Sequence, residues 1–393
     1  MIFKSHLLIL LLSSLLVFSA CRDGEQAGSL NLLSHEGFDT IINNRKVQLF
    51  TLRNSSGCVA QFTNFGARWI SMWVPGRNGK LTDVLLGFNN LEDYISAGEP
   101  YHGAIVGRIC GRIDDAEFFL DGKKYILAGN DLFGVPVKNH LHGGINGFHI
   151  QVWESKTFVN KSGEQGIIFS YFSPDGEEGF PGNLNVEVHY TLSGRNELII
   201  EYRAVSDETT IVNLTNHAYF NLNGEGNNNI LNHMMKVNSN KYIECDRQLI
   251  PTGKLIHVRR SPLDYSKYKE MGECINTDHD QIFKGKGYAA AMVIKEENSR
   301  KLKKMASAYS TESGIKMDLY SDKPSIQLYN AWLFDGTDIG KSGRPYLFSG
   351  GFVMEAQGYP DAPNHLNFPS ITIRPDEVYS HKDIYRFSLT FKK

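Results

Sequence analysis

The 393-residue sequence has little that would suit it to nucleic acid or a charged membrane surface. Lysine and arginine number 41 against 43 acidic residues, a formal net charge of −2. No basic surplus exists to condense on phosphates, and a neutral partner is favoured. Cysteine is scarce, five in all, with no Cys-x-x-Cys pair of the kind that serves zinc or redox chemistry. A chain this long needs no disulfide staple, so Cys58, Cys110, Cys245 and Cys274 read as buried free thiols. Beyond the N-terminus no apolar run is long enough to cross a bilayer. Sustained helical periodicity is almost missing. Gly-x-Ser-x-Gly, a phosphate-cradling glycine loop and a dinucleotide fingerprint are all absent, which removes the signatures of hydrolases, kinases and dehydrogenases.

What is present begins with Lys4, an apolar stretch from Leu7 to Phe18 broken only by Ser13-Ser14, and then Ser19-Ala20-Cys21. A charged start, a short apolar core and small residues before a cut describe a secretory signal over residues 1–20. Cys directly after Ser-Ala resembles a bacterial lipobox, so Cys21 is the expected lipidation site and residues 21–34 a polar tether. The expectation is an exported lipoprotein on the periplasmic or cell-surface side, touching membrane through its anchor only.

Residues 35–393 show short alternating runs punctuated by turn residues, the pattern of half-buried strands. Val47–Leu52 precedes Asn54-Ser55-Ser56-Gly57. Ala116–Leu120 and Lys123–Ala128 flank Asp121-Gly122, a strong hairpin signal. Leu184–Leu192 faces Leu198–Arg203 across Ser193–Asn196, and Ile315–Tyr320, Ser325–Tyr329 and Ile371–Ile373 continue the style. Leu91–Ile95 is the one short helix predicted. Aromatic residues at 11% suit strands and also suit stacking on sugar rings. The pattern predicts one all-β domain, a large antiparallel sandwich.

Five segments carry more polar chemistry than a plain sandwich needs. They are Val106–Ile113, Asn139-His140-Leu141-His142-Gly143-Gly144, Asn213–Leu222, Asp278-His279-Asp280 and Glu355-Ala356-Gln357-Gly358-Tyr359-Pro360-Asp361. Together they supply Arg, His, Asp and Glu from the whole length of the chain. No spacing completes a metal-ligand set, so no metal is expected. A Glu and a His remain, which is what general acid–base chemistry requires.

These segments, with Ser173–Gly182, Ser261-Pro262-Leu263-Asp264 and Gln327-Leu328-Tyr329, resemble in order those of the aldose 1-epimerase (galactose mutarotase) family. The resemblance runs from about residue 40 to the C-terminus. It implies the galactose mutarotase-like supersandwich, a small aldose as partner and no cofactor; a monomer or weak dimer is expected. It also implies roles: Glu355 as base, His217 as acid, and Arg112, His142, Asp278 and Gln327 as holders of sugar hydroxyls. Acid–base ring opening and closure would then interconvert α and β hexoses, with Glu355 ionised and His217 protonated. Two positions depart from the family pattern. Gly111 stands where many members have Asn, and Asp280 stands where Asn often follows Asp-His. The competing readings are a hexose-phosphate epimerase, which would need more cations than Arg108 and Arg112, and a non-catalytic carbohydrate-binding lipoprotein.

Overall fold

The computed structural model describes residues 30–390 except 133–137, 228, 276, 286, 288, 297 and 298. The signal segment and Cys21 therefore lie outside the described residues. From Leu33 onward the chain forms one compact unit. Leu33 opens it by pairing its N–H and C=O with the Gln61 side-chain amide. Among the described residues no helix is long and apolar enough to cross a membrane.

Three antiparallel sheets carry the fold. A nine-stranded sheet runs in the order Glu154–Val159, Gln165–Ser173, Leu184–Leu192, Glu197–Ser206, Val378–Leu389, Ile315–Ser321, Lys303–Tyr309, Met234–Val237 and Lys269–Glu270. A four-stranded sheet spans Leu49–Arg53 to Leu81–Asp83. A five-stranded sheet runs Pro251–His257, Ser239–Cys245, Ala289–Ile294, Ser325–Tyr329 and Val353–Gln357. The main core lies where the nine-stranded sheet faces the other two. It joins Val188, Ile200 and Phe387 from the large sheet to Phe62 and Trp69 from the small one and to Ile326 and Met354 from the third.

Period-two alternation decides which residues face that core. In Val378–Leu389 the buried positions include Tyr379, His381, Asp383, Tyr385 and Phe387. In the five-stranded sheet Ile326, Leu328, Met354 and Ala356 join the main core, which turns Gln327, Tyr329, Glu355 and Gln357 to the opposite face. The predicted hairpin forms between Glu117–Leu120 and Lys123–Ile126. Asp121 and Gly122 both have positive φ, 49° and 80°, as a two-residue turn of the right hand demands. Leu184–Leu192 and Ser325–Tyr329 begin and end where the alternation places them. Leu91–Ser96 is helical, capped by the Asn90 side chain accepting from Asp93 N–H. A second helix, Asp280–Gly285, was not evident in the sequence. Cys58, Cys110, Cys245 and Cys274 are buried free thiols.

Candidate active site

A cavity of about 100 Å³ opens on the outer face of the five-stranded sheet. Ser325–Tyr329 and Val353–Gln357 pair with Gln327 directly opposite Glu355. Both side chains line the cavity with Gln357, the next residue of that face. The opposite wall comes from segments clipped together by backbone bonds. Thr215-Asn216 pairs with Ile105-Val106, and His217 N–H donates to Ala104 C=O while Gly103 N–H donates to His217 C=O. Arg112 pairs with Leu141, and His142 N–H donates to Gly111 C=O. His142 has φ of 52°, followed by Gly143 at 87°. A Cβ on Gly143 would collide with the Gly107 carbonyl oxygen, so this turn needs glycine there.

His217, Glu355, Arg112, His142 and Gln327 thus converge on one space. His217 Nε2 lies 3.7 Å from Glu355 Oε1, with both side chains almost fully buried. The rings of His142 and His217 meet edge to face at 5.1 Å, and Tyr101 packs 4.7 Å from His142 and 5.7 Å from His217. Arg112 Nε donates to Asp131 at 2.6 Å, an ion pair that fixes the guanidinium at the cavity edge. Glu355 Oε2 and both ends of the Gln357 amide have no hydrogen-bond partner among the described residues. Unpartnered buried polar atoms are costly. Several of them on one cavity wall suit a hydroxyl-rich ligand.

Burial sets the electrostatics. Desolvation, with Glu99 adding to it and Arg112 opposing, pushes Glu355 up to about 8. Desolvation, assisted by Arg68, brings His217 down to about 3, and His142 is held well below the ordinary imidazole range for the same first reason. Burial thus favours the neutral form of each group, which at neutral pH puts the pair's one proton on Glu355 and runs against the expected charges.

Asp278 is not brought to this cavity. It is exposed, in the stretch before the Asp280–Gly285 helix, and it is absent from the cavity wall. The helix instead sends Gln281 inward to clasp both backbone groups of Cys245, a wall residue. Asp280 is exposed and turns outward. Gly111 lines the cavity with φ of 79°, and a Cβ there would touch Pro360 at 3.0 Å. Arg108 is a structural clamp. Its guanidinium donates to Ser173 Oγ and to the carbonyls of Ser173, Pro174 and Pro181.

His142, His217 and Glu355 also bring one ligand atom each within 4.8 Å of one another, a geometry that could hold a cation. Sequence spacing gave no sign of this set because its members come from three distant segments. Gly111 N–H donates to His142 Nδ1 at 3.3 Å, which leaves the ring proton on Nε2. That tautomer donates hydrogen bonds and does not ligate through Nε2. Sequence reasoning also passed over Glu99, Tyr101, Tyr219, Tyr329 and Trp332, all on the cavity wall. Only Tyr219 and Tyr329 lay in segments already marked by their polar pattern or resemblance.

Residues 48–386 match the family model described as aldose 1-epimerase. The chain is 39% identical over 326 residues to galactose mutarotase of Bos taurus, covering 83% of this chain and 90% of that protein. It is 33% identical over 342 residues to aldose 1-epimerase of Escherichia coli K12, covering 86% and 95%. Among solved structures it is similar to galactose 1-epimerase from Lactobacillus acidophilus, with TM-score 0.78 and 27% identity over 90% of this chain and 97% of that one. An aldose epimerase homologue from C. elegans gives TM-score 0.78 at 28% identity, covering 88% and 100%.

Proposed function

The chain belongs to the aldose 1-epimerase family, and from that premise we propose that this cavity interconverts the α and β anomers of a free hexose, with Glu355 and His217 moving the protons. One observation carries the reading. The two atoms that exchange protons in mutarotation, the C1 hydroxyl oxygen and the ring oxygen, are bonded to the same carbon. Acid and base must therefore stand close together yet unbonded to each other, and the 3.7 Å between His217 Nε2 and Glu355 Oε1 meets that need.

The steps balance without a cofactor. Glu355 takes the proton from the C1 hydroxyl, the C1–O1 bond becomes a carbonyl, the bond from C1 to the ring oxygen breaks, and His217 protonates that oxygen. Rotation about C1–C2 presents the other carbonyl face, and the reverse transfers close the ring. For Glu355 to begin as the base, its proton must pass to His217 as sugar binds. A hydroxyl donating to the carboxylate and a ring oxygen accepting from the imidazolium stabilise that arrangement. Arg112, His142 and Gln327 hold the remaining hydroxyls, and Asp278, which is off the cavity wall, stands outside this set. A phosphorylated hexose is the poorer fit, since Arg108 is spent on four protein oxygens.

Polarimetry of freshly dissolved α-glucose and α-galactose tests the reading. Purified protein should speed the approach to equilibrium rotation, and Glu355→Gln should abolish the acceleration. A rate equal to the uncatalysed one would refute it. On the sequence signal alone we also propose export and lipid attachment at Cys21, and separately a monomer or weak dimer. Membrane fractionation of Cys21→Ser against wild type, with mass spectrometry for the lipid, decides the anchor.

A further inference from the structure

Glu99 is a second carboxylate on the cavity wall, and nothing in the proton-transfer scheme uses it. Its placement is built. Asp338 accepts from Gly98 N–H at 2.8 Å and from Glu99 N–H at 3.1 Å. From the other side Arg68 donates to the carbonyls of Pro100 and His102, each at 2.8 Å. Glu99 Oε1 accepts from Tyr101 N–H at 3.2 Å, which fixes the carboxylate beside the tyrosine that packs on His142 and His217. Around it stand Asp338, Arg68, Tyr219 and Tyr329; around Glu355 stand Glu99, Arg112, His217, Cys110, Tyr219 and Tyr329.

The charge balance of this wall is uneven. Among the described lining residues Arg112 is the one permanent cation, and Asp131 already neutralises it at 2.6 Å. Glu99 and Glu355 are left facing the same small space, and Arg68, on the far side of the loop, has its two terminal nitrogens bound to carbonyl oxygens. We propose that Glu99 is a specificity-determining residue: it accepts a hydrogen bond from a neutral hexose and turns away hexoses that carry a carboxylate or phosphate. A sugar bringing its own negative charge would set like charges together in a poorly solvated cavity, which is a repulsive means of selection. Burial already brings Glu99 up to about 7, so the discrimination is strongest above that pH.

This inference rests on the mutarotase reading. The test compares glucose with glucuronate, which differ by a carboxylate at C6, by polarimetry at pH 8. Wild type should favour glucose by ~30-fold or more in kcat/KM. Glu99→Gln should narrow that ratio to within ~5-fold, and Glu99→Asp, which keeps the charge, should hold it. A structural role would depress both sugars equally and leave the ratio alone. Removing the charge should also move the alkaline limb of the glucose pH profile to lower pH by ~0.5–1 unit, because Glu355 then releases its proton more easily. An unchanged ratio in folded, active Glu99→Gln, or a wild type indifferent to the carboxylate, overturns the proposal and leaves the mutarotase reading standing. A wild type inert on glucose itself overturns both.

Discussion

Two buried histidine–carboxylate pairs among the described residues have nearly the same separation. His217 Nε2 and Glu355 Oε1 are 3.7 Å apart, and His381 Nε2 and Asp383 Oδ2 are 3.6 Å apart. Burial acts alike on both. It raises Glu355 to about 8 and Asp383 to about 7, and it lowers both imidazoles. The surroundings differ. His381 and Asp383 are two residues apart on one strand, so their proximity follows from the pleat. The His381 ring lies flat on Tyr202 at 3.9 Å. His381 borders a second hollow of about 540 Å³, but Asp383 is not on its wall, so no ligand there can touch both groups. His217 and Glu355 come from separate parts of the fold and both line one cavity. Perturbed proton affinity marks burial; access to a shared space is what sets the proposed pair apart.

The largest effect that tests this contrast is on turnover. Glu355→Gln and His217→Asn should each lower kcat by ~10²–10⁴-fold with the fold intact. His381→Gln and Asp383→Asn, in folded protein, should stay within ~3-fold of wild type, since neither reaches the sugar. Polarimetry on the four purified variants, with circular dichroism to check folding, sets the two pairs side by side. A large loss at Asp383 would dissolve the distinction.

The pH profile comes next. The proposed pair needs one proton, so kcat/KM should fall at high pH as Glu355 gives up its proton near pH 8, by ~10-fold per further unit. Activity should hold down into the acid range, where His217 resists a second proton until about 3, as far as the fold survives. A profile falling below pH 6 with no loss of structure would contradict the neutral-imidazole state.

Arg112→Ala should raise KM by ~10–100-fold with a smaller loss in kcat, because hydroxyl contacts persist along the reaction. It should also cost stability by leaving Asp131, which is 1% exposed, without its cation. Steady-state rates and denaturant midpoints separate the two effects.

At the second pair the expected signature is in stability. Asp383 holds its proton more tightly when folded than when unfolded. Its favourable contribution is therefore complete below about pH 4 and is lost as pH rises through about 7. The slope from this group is at most ~1.4 kcal/mol per pH unit. Asp383→Asn should remove that part of the decline, as urea titrations at pH 5 and pH 8 would show; an unaltered slope would mean that the carboxyl is ionised in the fold. The smallest effect is expected at Asp278, exposed and off the cavity wall. Asp278→Ala should change KM by less than ~3-fold. A tenfold rise would show that the segment before Asp280–Gly285 closes on bound sugar.

Much of this was legible along the chain, and the reason is local. Alternation in Leu184–Leu192 and Ser325–Tyr329 located strands because adjacent side chains on a pleat face opposite ways. Asp121-Gly122 located a turn because both positions need positive φ. Polar segments marked the stretches that hold His217, Glu355, Arg112 and His142, and the family resemblance singled out these residues and Gln327. The Asp280–Gly285 helix escaped because its apolar residues, Ile282 and Phe283, are adjacent in sequence, whereas Leu91, Tyr94 and Ile95 stand at helical spacing.

What the sequence by itself determined is the all-β class, several of its strands, the chemistry they carry and the family to which they belong. Only the tertiary structure decided which carboxylates share a cavity with His217. It brought Glu99 there and kept Asp278 away, paired Asp131 with Arg112, and committed Arg108 to the backbone of Ser173–Pro181. It also set burial against the charged forms of Glu355 and His217. The physical reason is the same in each case: charge states and partners depend on desolvation and on distances across sheets, which spacing along a chain does not encode.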